Sequence, residues 1–133
     1  MKRQTLVPLL LLGLMLSATA GATVVDELLG EYRAAGAGGF SADRGRALWA
    51  REFTGEAGAP RSCVTCHGND PTQPGRHVKT NKPIDPLAPS VAPRRLTDGK
   101  EIEKWFKRNC DWTLGRECTP QEKGDVLTYL RQL

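Results

Sequence analysis

Residues 63–67 read Cys63-Val64-Thr65-Cys66-His67, the C-x-x-C-H pentapeptide at which haem is attached through two thioethers, with the histidine as an iron ligand. A chain built around that site must fold over a large flat apolar body, which restricts it to short elements packed about a prosthetic group. An absence sharpens the constraint. The only methionines are Met1 and Met15, both in an N-terminal stretch that reads as a leader, so the remaining chain offers no thioether sulfur and the usual His/Met electron carrier is excluded.

Other uses of a C-x-x-C are open in principle. A dithiol redox pair wants strand and helix patterns around it, and no alternating β-branched run flanks Cys63. A zinc site needs a second tight ligand pair, whereas Cys110 and Cys118 are eight apart and His77 is the one other histidine. Haem c, one per chain, is the cofactor the residues favour.

Lys2 and Arg3 precede an apolar run from Leu6 to Leu16, and small residues follow, with cleavage expected after Ala20 or Ala22. Residues 1–22 are therefore expected to be a signal peptide and 23–133 a single cytochrome c domain exported to the periplasm, where c-type haem is attached in bacteria. The leader carries two of the 19 cations that oppose 15 acids. What remains is close to neutral and gives no reason to expect a nucleic-acid partner. In an oxidising compartment Cys110 and Cys118 are either a disulfide or two free thiols.

Four helical stretches are legible. Val24 to about Ala35 carries Val25, Leu28, Leu29 and Tyr32 at helical spacing, and Ser41 is placed to cap a second helix through about Phe53. Asp98 and Glu101 form a capping pattern ahead of Ile102, Trp105, Phe106 and Asn109 at i, i+3, i+4 and i+7. Thr119, Pro120 and Glu122 open a fourth helix with Val126, Leu127, Leu130 and Leu133 on one face. Between them, six prolines from Pro71 to Pro93 forbid a long helix; that stretch either wraps the macrocycle edge or is a surface loop. Trp49, Trp105, Phe53 and Phe106 read as core. Arg76, Lys79, Lys82, Arg94 and Arg95 read as propionate partners, as a surface for an acidic partner, or as ordinary solvated charges.

Gly45-Arg46-Ala47-Leu48-Trp49 ahead of the C-x-x-C-H, with a capped C-terminal helix, resembles the class I cytochrome c layout, in which a glycine such as Gly45 permits close helix crossing. Pro86-Leu87-Ala88-Pro89-Ser90, Glu103-Lys104-Trp105, Asn109-Cys110 and Gly115-Arg116-Glu117-Cys118-Thr119-Pro120 with Glu122-Lys123 narrow the match. They resemble the sphaeroides haem protein (SHP) group of oxygen-binding c-type cytochromes. The resemblance covers nearly all of residues 23–133. It implies an all-α small cytochrome c fold of about four helices around one covalent haem on Cys63 and Cys66. It also implies His67 as proximal ligand, Asn109 as a distal ligand in the ferric state that leaves on reduction, and a Cys110–Cys118 disulfide. Redox partners implied are a dihaem cytochrome c and a membrane cytochrome b.

Helical phase bears on Asn109 separately. It lies about 20° from Ile102 on the helical wheel and Asp111 about 180° away, so Asn109 shares the apolar face. It could equally end the helix in a left-handed conformation. An amide oxygen is a hard ligand that suits ferric better than ferrous iron, so reduction favours its release and opens a position for oxygen, nitric oxide or CO. Its rival is His77, which would make a bis-His electron shuttle closed to ligands. A terminal reductase of oxygen or nitric oxide is a third reading, but no residue is identifiable as its proton donor. A ligand-binding electron-transfer protein is thus favoured over an enzyme.

Overall fold

The computed structural model describes residues 23–55 and 58–133; the expected signal peptide lies outside them. Among the described residues five helices make the fold: α1 (Val24–Ala34), α2 (Ala42–Ala50), α3 (Val64–His67), α4 (Gly99–Leu114) and α5 (Pro120–Leu130). Two strand pairs join them, β1 (Phe53–Thr54) with β2 (Pro60–Arg61) and β3 (Gly75–Arg76) with β4 (Pro83–Ile84), both antiparallel. The fold is mostly helical as expected, and the helix beyond four is the single turn at the C-x-x-C-H segment. Among the described residues no helix is long and apolar enough to cross a membrane.

Caps fix where the helices start. Thr23 and Asp26 form a reciprocal capping box on α1, Ser41 Oγ accepts from Arg44 N, Asp98 accepts from Lys100 N and Glu101 N, and Thr119 pairs with Glu122 behind Pro120. Each satisfies backbone donors that a helix start leaves unpaired. The ends differ from expectation at α2 and at α5, which stops at Leu130, short of Leu133. Helix α2 stops at Ala50, because Arg51 turns to extended backbone and Phe53 enters β1. Helix α4 runs five residues past Asn109 to Leu114 and ends on Gly115 at φ +70°, the left-handed position that glycine takes at little cost.

Helix α5 is the spine. Residues 124–130 are all buried, more than one amphipathic face accounts for, because α1 and α2 both pack on it. Gly45 makes the α2 crossing possible: a Cβ there would run into the Asp125 carbonyl and stand 2.9 Å from Tyr129 Cβ. Buried Asp125 is fully engaged, accepting from Ser41 N at 2.7 Å, Arg44 Nε at 2.9 Å, Arg44 Nη2 at 2.8 Å and Gln121 Nε2 at 3.1 Å. A buried carboxylate is tolerated only with such pairing. On the other flank, Tyr32 donates to Glu103, whose second oxygen receives Lys123 Nζ at 2.6 Å, tying α1, α4 and α5 together.

Two apolar clusters result. Val25, Leu28, Leu29, Tyr32, Ile102 and Leu127 form the first; Trp49, Val126, Tyr129 and Leu130 form the second. Leu96 and Phe106 pack against both.

Candidate haem site

The second cluster carries the C-x-x-C-H turn. Cys63 is the N-cap residue of α3, and Cys63 and Val64 pack on that cluster alongside Leu87, Leu96 and Phe106, each of them only partly buried. Helical spacing puts Cys63, Cys66 and His67 on one side of the turn. Trp49 holds the turn from beneath: its indole Nε1 donates to the Gly68 carbonyl at 3.0 Å, and its ring stands 5.5 Å from the His67 ring. Gly68, at φ +74°, then lets the chain leave α3.

The next segment closes back over this turn. A Cβ on Gly75 would meet the Cys66 carbonyl and lie 2.9 Å from His67 Cα, so glycine is what allows β3 to rest on the Cys66–His67 peptide. Leu87 N and Ala88 N both donate to the carbonyl of buried Pro71, at 2.9 and 3.1 Å. Arg95 spans the same loop, its Nε donating to Pro86 O at 2.9 Å and Nη2 to Asp85 O at 3.3 Å. Leu96, beside it, takes φ +59° to reach both clusters.

Electrostatics suit the chemistry. Burial, reinforced by the Arg95 charge, pushes the His67 pKa down to about 4, so its imidazole is neutral at physiological pH and has a lone pair for a metal. Burial pushes the Cys63 thiol up to about 11, so it is a neutral thiol. Cys63 and Cys66 are not joined to each other. No group of three or more His, Cys, Asp or Glu side chains among the described residues is placed to hold a bare metal ion. The donors and their apolar surround, Leu87, Leu96 and Phe106 with faces partly open, fit an iron porphyrin held through thioethers and do not fit a zinc site.

Asn109 sits in the middle of α4 with helical backbone, and Gly115 performs the left-handed termination that Asn109 was a candidate for. Its side chain is exposed and makes no hydrogen bond among the described residues. The face it belongs to is apolar on its inner edge: Ile102 and Thr113 are buried and Phe106 packs against both clusters. Immediately after it, Cys110 is joined to Cys118, with Cα atoms 5.5 Å apart, which staples the last turns of α4 to the start of α5.

His77 is placed elsewhere, in the turn of the β3–β4 hairpin, exposed, with its Nδ1 accepting from Lys79 N at 3.3 Å and Thr80 N at 3.2 Å. Trp105 corrects a sequence expectation: it is 46% exposed rather than core. Its indole is kept outside by polar neighbours on the same helix, donating to Glu101 at 3.2 Å with Lys104 and Arg108 near its ring. Trp49 is buried, and Phe53 and Phe106 are half-buried. Sequence reasoning did not find the parts played by Trp49, Gly75 and Arg95 around the haem turn, because all three act through backbone groups and no motif announces them.

Comparison with known proteins adds to this geometry. Cytochrome c-type protein SHP of Cereibacter sphaeroides is 47% identical over 113 residues, spanning 85% of this chain and 87% of that protein. The chain belongs to the SHP family of c-type cytochromes. Residues 35–130 also match the family described as Domain of unknown function (DUF1924). The structure of oxidized SHP, an oxygen-binding cytochrome c, superposes with a TM-score of 0.76 at 45% identity, covering 85% of this chain and all of that one. The solution structure of Methylophilus methylotrophus cytochrome c'', described for its haem-ligand detachment, gives a TM-score of 0.69 at 32% identity over 80% of this chain and 90% of its own. The cofactor of this family, and of this chain, is haem c.

Proposed function

We propose that this chain is an exported monohaem cytochrome that exchanges electrons with a protein partner and, when reduced, takes up a diatomic such as oxygen or nitric oxide at the iron position that Asn109 gives up. Haem c supplies one-electron exchange and, where an axial position is open, a place for a diatomic ligand. Cys63 and Cys66 hold it through thioethers and His67 is the proximal ligand. Trp49 packs on the His67 ring and holds the Gly68 carbonyl that follows it, while burial and the nearby Arg95 charge keep the imidazole neutral.

The observation that carries the reading is Asn109 itself. It is a helical residue with an unengaged amide, on the edge of the face that runs along Phe106, anchored on its far side by the Cys110–Cys118 bond. As a hard, weakly held oxygen donor it serves the ferric state better than the ferrous. Once free, its amide N–H can donate a hydrogen bond to a ligand taking its place. The relatives agree in kind: oxidized SHP is described as oxygen-binding, and cytochrome c'' for ligand detachment.

The bis-His alternative finds less support: His77 Nδ1 already accepts two backbone N–H groups in the hairpin turn, so that lone pair is engaged. Export rests on residues 1–22, and a dihaem cytochrome c or membrane cytochrome b as electron donor rests on the family resemblance. Optical spectra of ferric, ferrous and CO-treated ferrous holoprotein test the reading. A six-coordinate ferric spectrum that becomes five-coordinate on reduction and shifts at once with CO is expected; a low-spin ferrous spectrum indifferent to CO would refute it.

A further inference from the structure

The β3–β4 hairpin combines three properties that a docking surface needs. From Pro71 to Ile84 the chain carries Arg76, Lys79 and Lys82 and no acidic residue, and no carboxylate pairs with any of the three among the described residues. Between these cations Val78 is 52% exposed, giving an apolar centre with a charged rim, the composition of interfaces that associate and release. The hairpin is also tied together by hydrogen bonds. His77 N donates to Lys82 O at 2.9 Å and Asn81 N to His77 O at 2.8 Å, Arg76 Nη1 donates to Asn81 O at 2.8 Å, and His77 Nδ1 takes the Lys79 and Thr80 amides.

Its position gives the surface a purpose. Gly75 lets β3 lie directly on the Cys66–His67 peptide, so a molecule seated on the hairpin is held next to the residues that carry the haem. We infer that the Gly75–Ile84 hairpin is the docking surface for the electron-transfer partner, and that this partner is a protein presenting an acidic patch. The inference rests on the proposed redox role but is independent of ligand binding at Asn109. Cations on a preformed surface raise encounter rates with an acidic partner and make them sensitive to salt.

Reduction of ferric holoprotein by flavodoxin semiquinone, an acidic protein probe, followed by stopped flow, tests it. The wild-type second-order rate should fall at least about tenfold between about 20 and about 200 mM salt. At low salt Arg76→Gln/Lys79→Gln/Lys82→Gln should be about tenfold slower than wild type. Arg33→Gln/Lys100→Gln/Lys107→Gln, which removes equal charge from α1 and α4, should stay within about twofold. Lys79→Gln/Lys82→Gln, which keeps the Arg76 hydrogen bond within the hairpin, should show an intermediate loss. Equal slowing of the two triple variants, or none in either hairpin variant, would overturn the docking assignment. Dithionite reduction and CO binding of the same samples report separately on the functional reading: loss of CO binding in wild type strikes that reading, while a missing hairpin effect in protein that reduces and binds CO normally strikes this one.

Discussion

The indole of Trp49 donates to the carbonyl of Gly68 at 3.0 Å, joining the buried face of α2 to the residue that ends the haem-attachment turn. Because the same ring lies against His67, one side chain supports both the backbone exit and the His67 imidazole. Trp49→Phe keeps an aromatic body but deletes the donor and leaves a gap, and should cost about 1–3 kcal/mol of stability. Denaturant titration of the holoprotein by far-ultraviolet circular dichroism measures it; an unchanged midpoint would mean the hydrogen bond is replaced by water at no cost.

Helix α5 begins in a charged knot that predicts a pH dependence. Glu122 accepts from Thr119 N at 2.8 Å, and Arg116 reaches both its oxygens at 2.8 Å, so the Arg116 guanidinium first, and then the Thr119 backbone N–H, hold its carboxyl below the usual range. A carboxyl with a depressed folded pKa adds stability that is complete above its unfolded value, about 4.3, and is lost as pH falls through the folded one. Wild type should therefore exceed Glu122→Gln in stability at pH 7, with the gap closing below about pH 4.3. Paired unfolding curves across that range check the sign; a gap that persists unchanged at pH 2 would assign the effect to packing.

Much of this architecture is legible in the residues, and the exceptions have physical causes. Asp98, Thr119, Pro120 and Glu122 mark their helix starts because capping is local chemistry. Val25, Leu28, Leu29 and Tyr32 mark a buried face by period alone. The end of α4 is not marked by the apolar spacing, which Cys110 and Asp111 interrupt, and the signal for it is Gly115. The hairpin at 75–84 is invisible to pattern reading, since its register comes from Gly75 packing on α3 and from side-chain bonds of His77 and Arg76 rather than from alternating hydrophobics. The C-x-x-C-H motif named the cofactor, but the Trp49 and Arg95 contacts around it depend on the tertiary fold.

The Cys110–Cys118 bond closes a loop with a sequence separation of eight. In the chain-entropy picture that is worth about 2.5 kcal/mol, less any strain. It also fixes the residue that follows Asn109, so if Asn109 is the ferric ligand its loss should loosen that ligand as well as the fold. Cys110→Ser/Cys118→Ser should unfold at lower denaturant by that amount, and its ferric spectrum should show a larger five-coordinate fraction than wild type. A spectrum identical to wild type in a destabilised variant would separate the two roles and leave the disulfide purely structural.

Asn109 and His77 make opposite forecasts. If Asn109 is the ferric ligand, Asn109→Ala should change the ferric spectrum while the protein stays folded; in the ferrous protein, from which the amide has left, the cost should be under about 0.5 kcal/mol, because the side chain is exposed and makes no hydrogen bond among the described residues. His77→Ala should leave the ferric spectrum as it is and affect only the hairpin, where two backbone N–H groups lose their acceptor. Asn109→Ala should also release a bound diatomic faster, by up to about tenfold if the amide N–H donates a hydrogen bond worth about 1 kcal/mol or slightly more. Flash photolysis of the oxygen or nitric oxide complex gives that rate directly. A ferric spectrum altered only in His77→Ala would move the distal ligand to the hairpin and turn the protein into a closed electron shuttle.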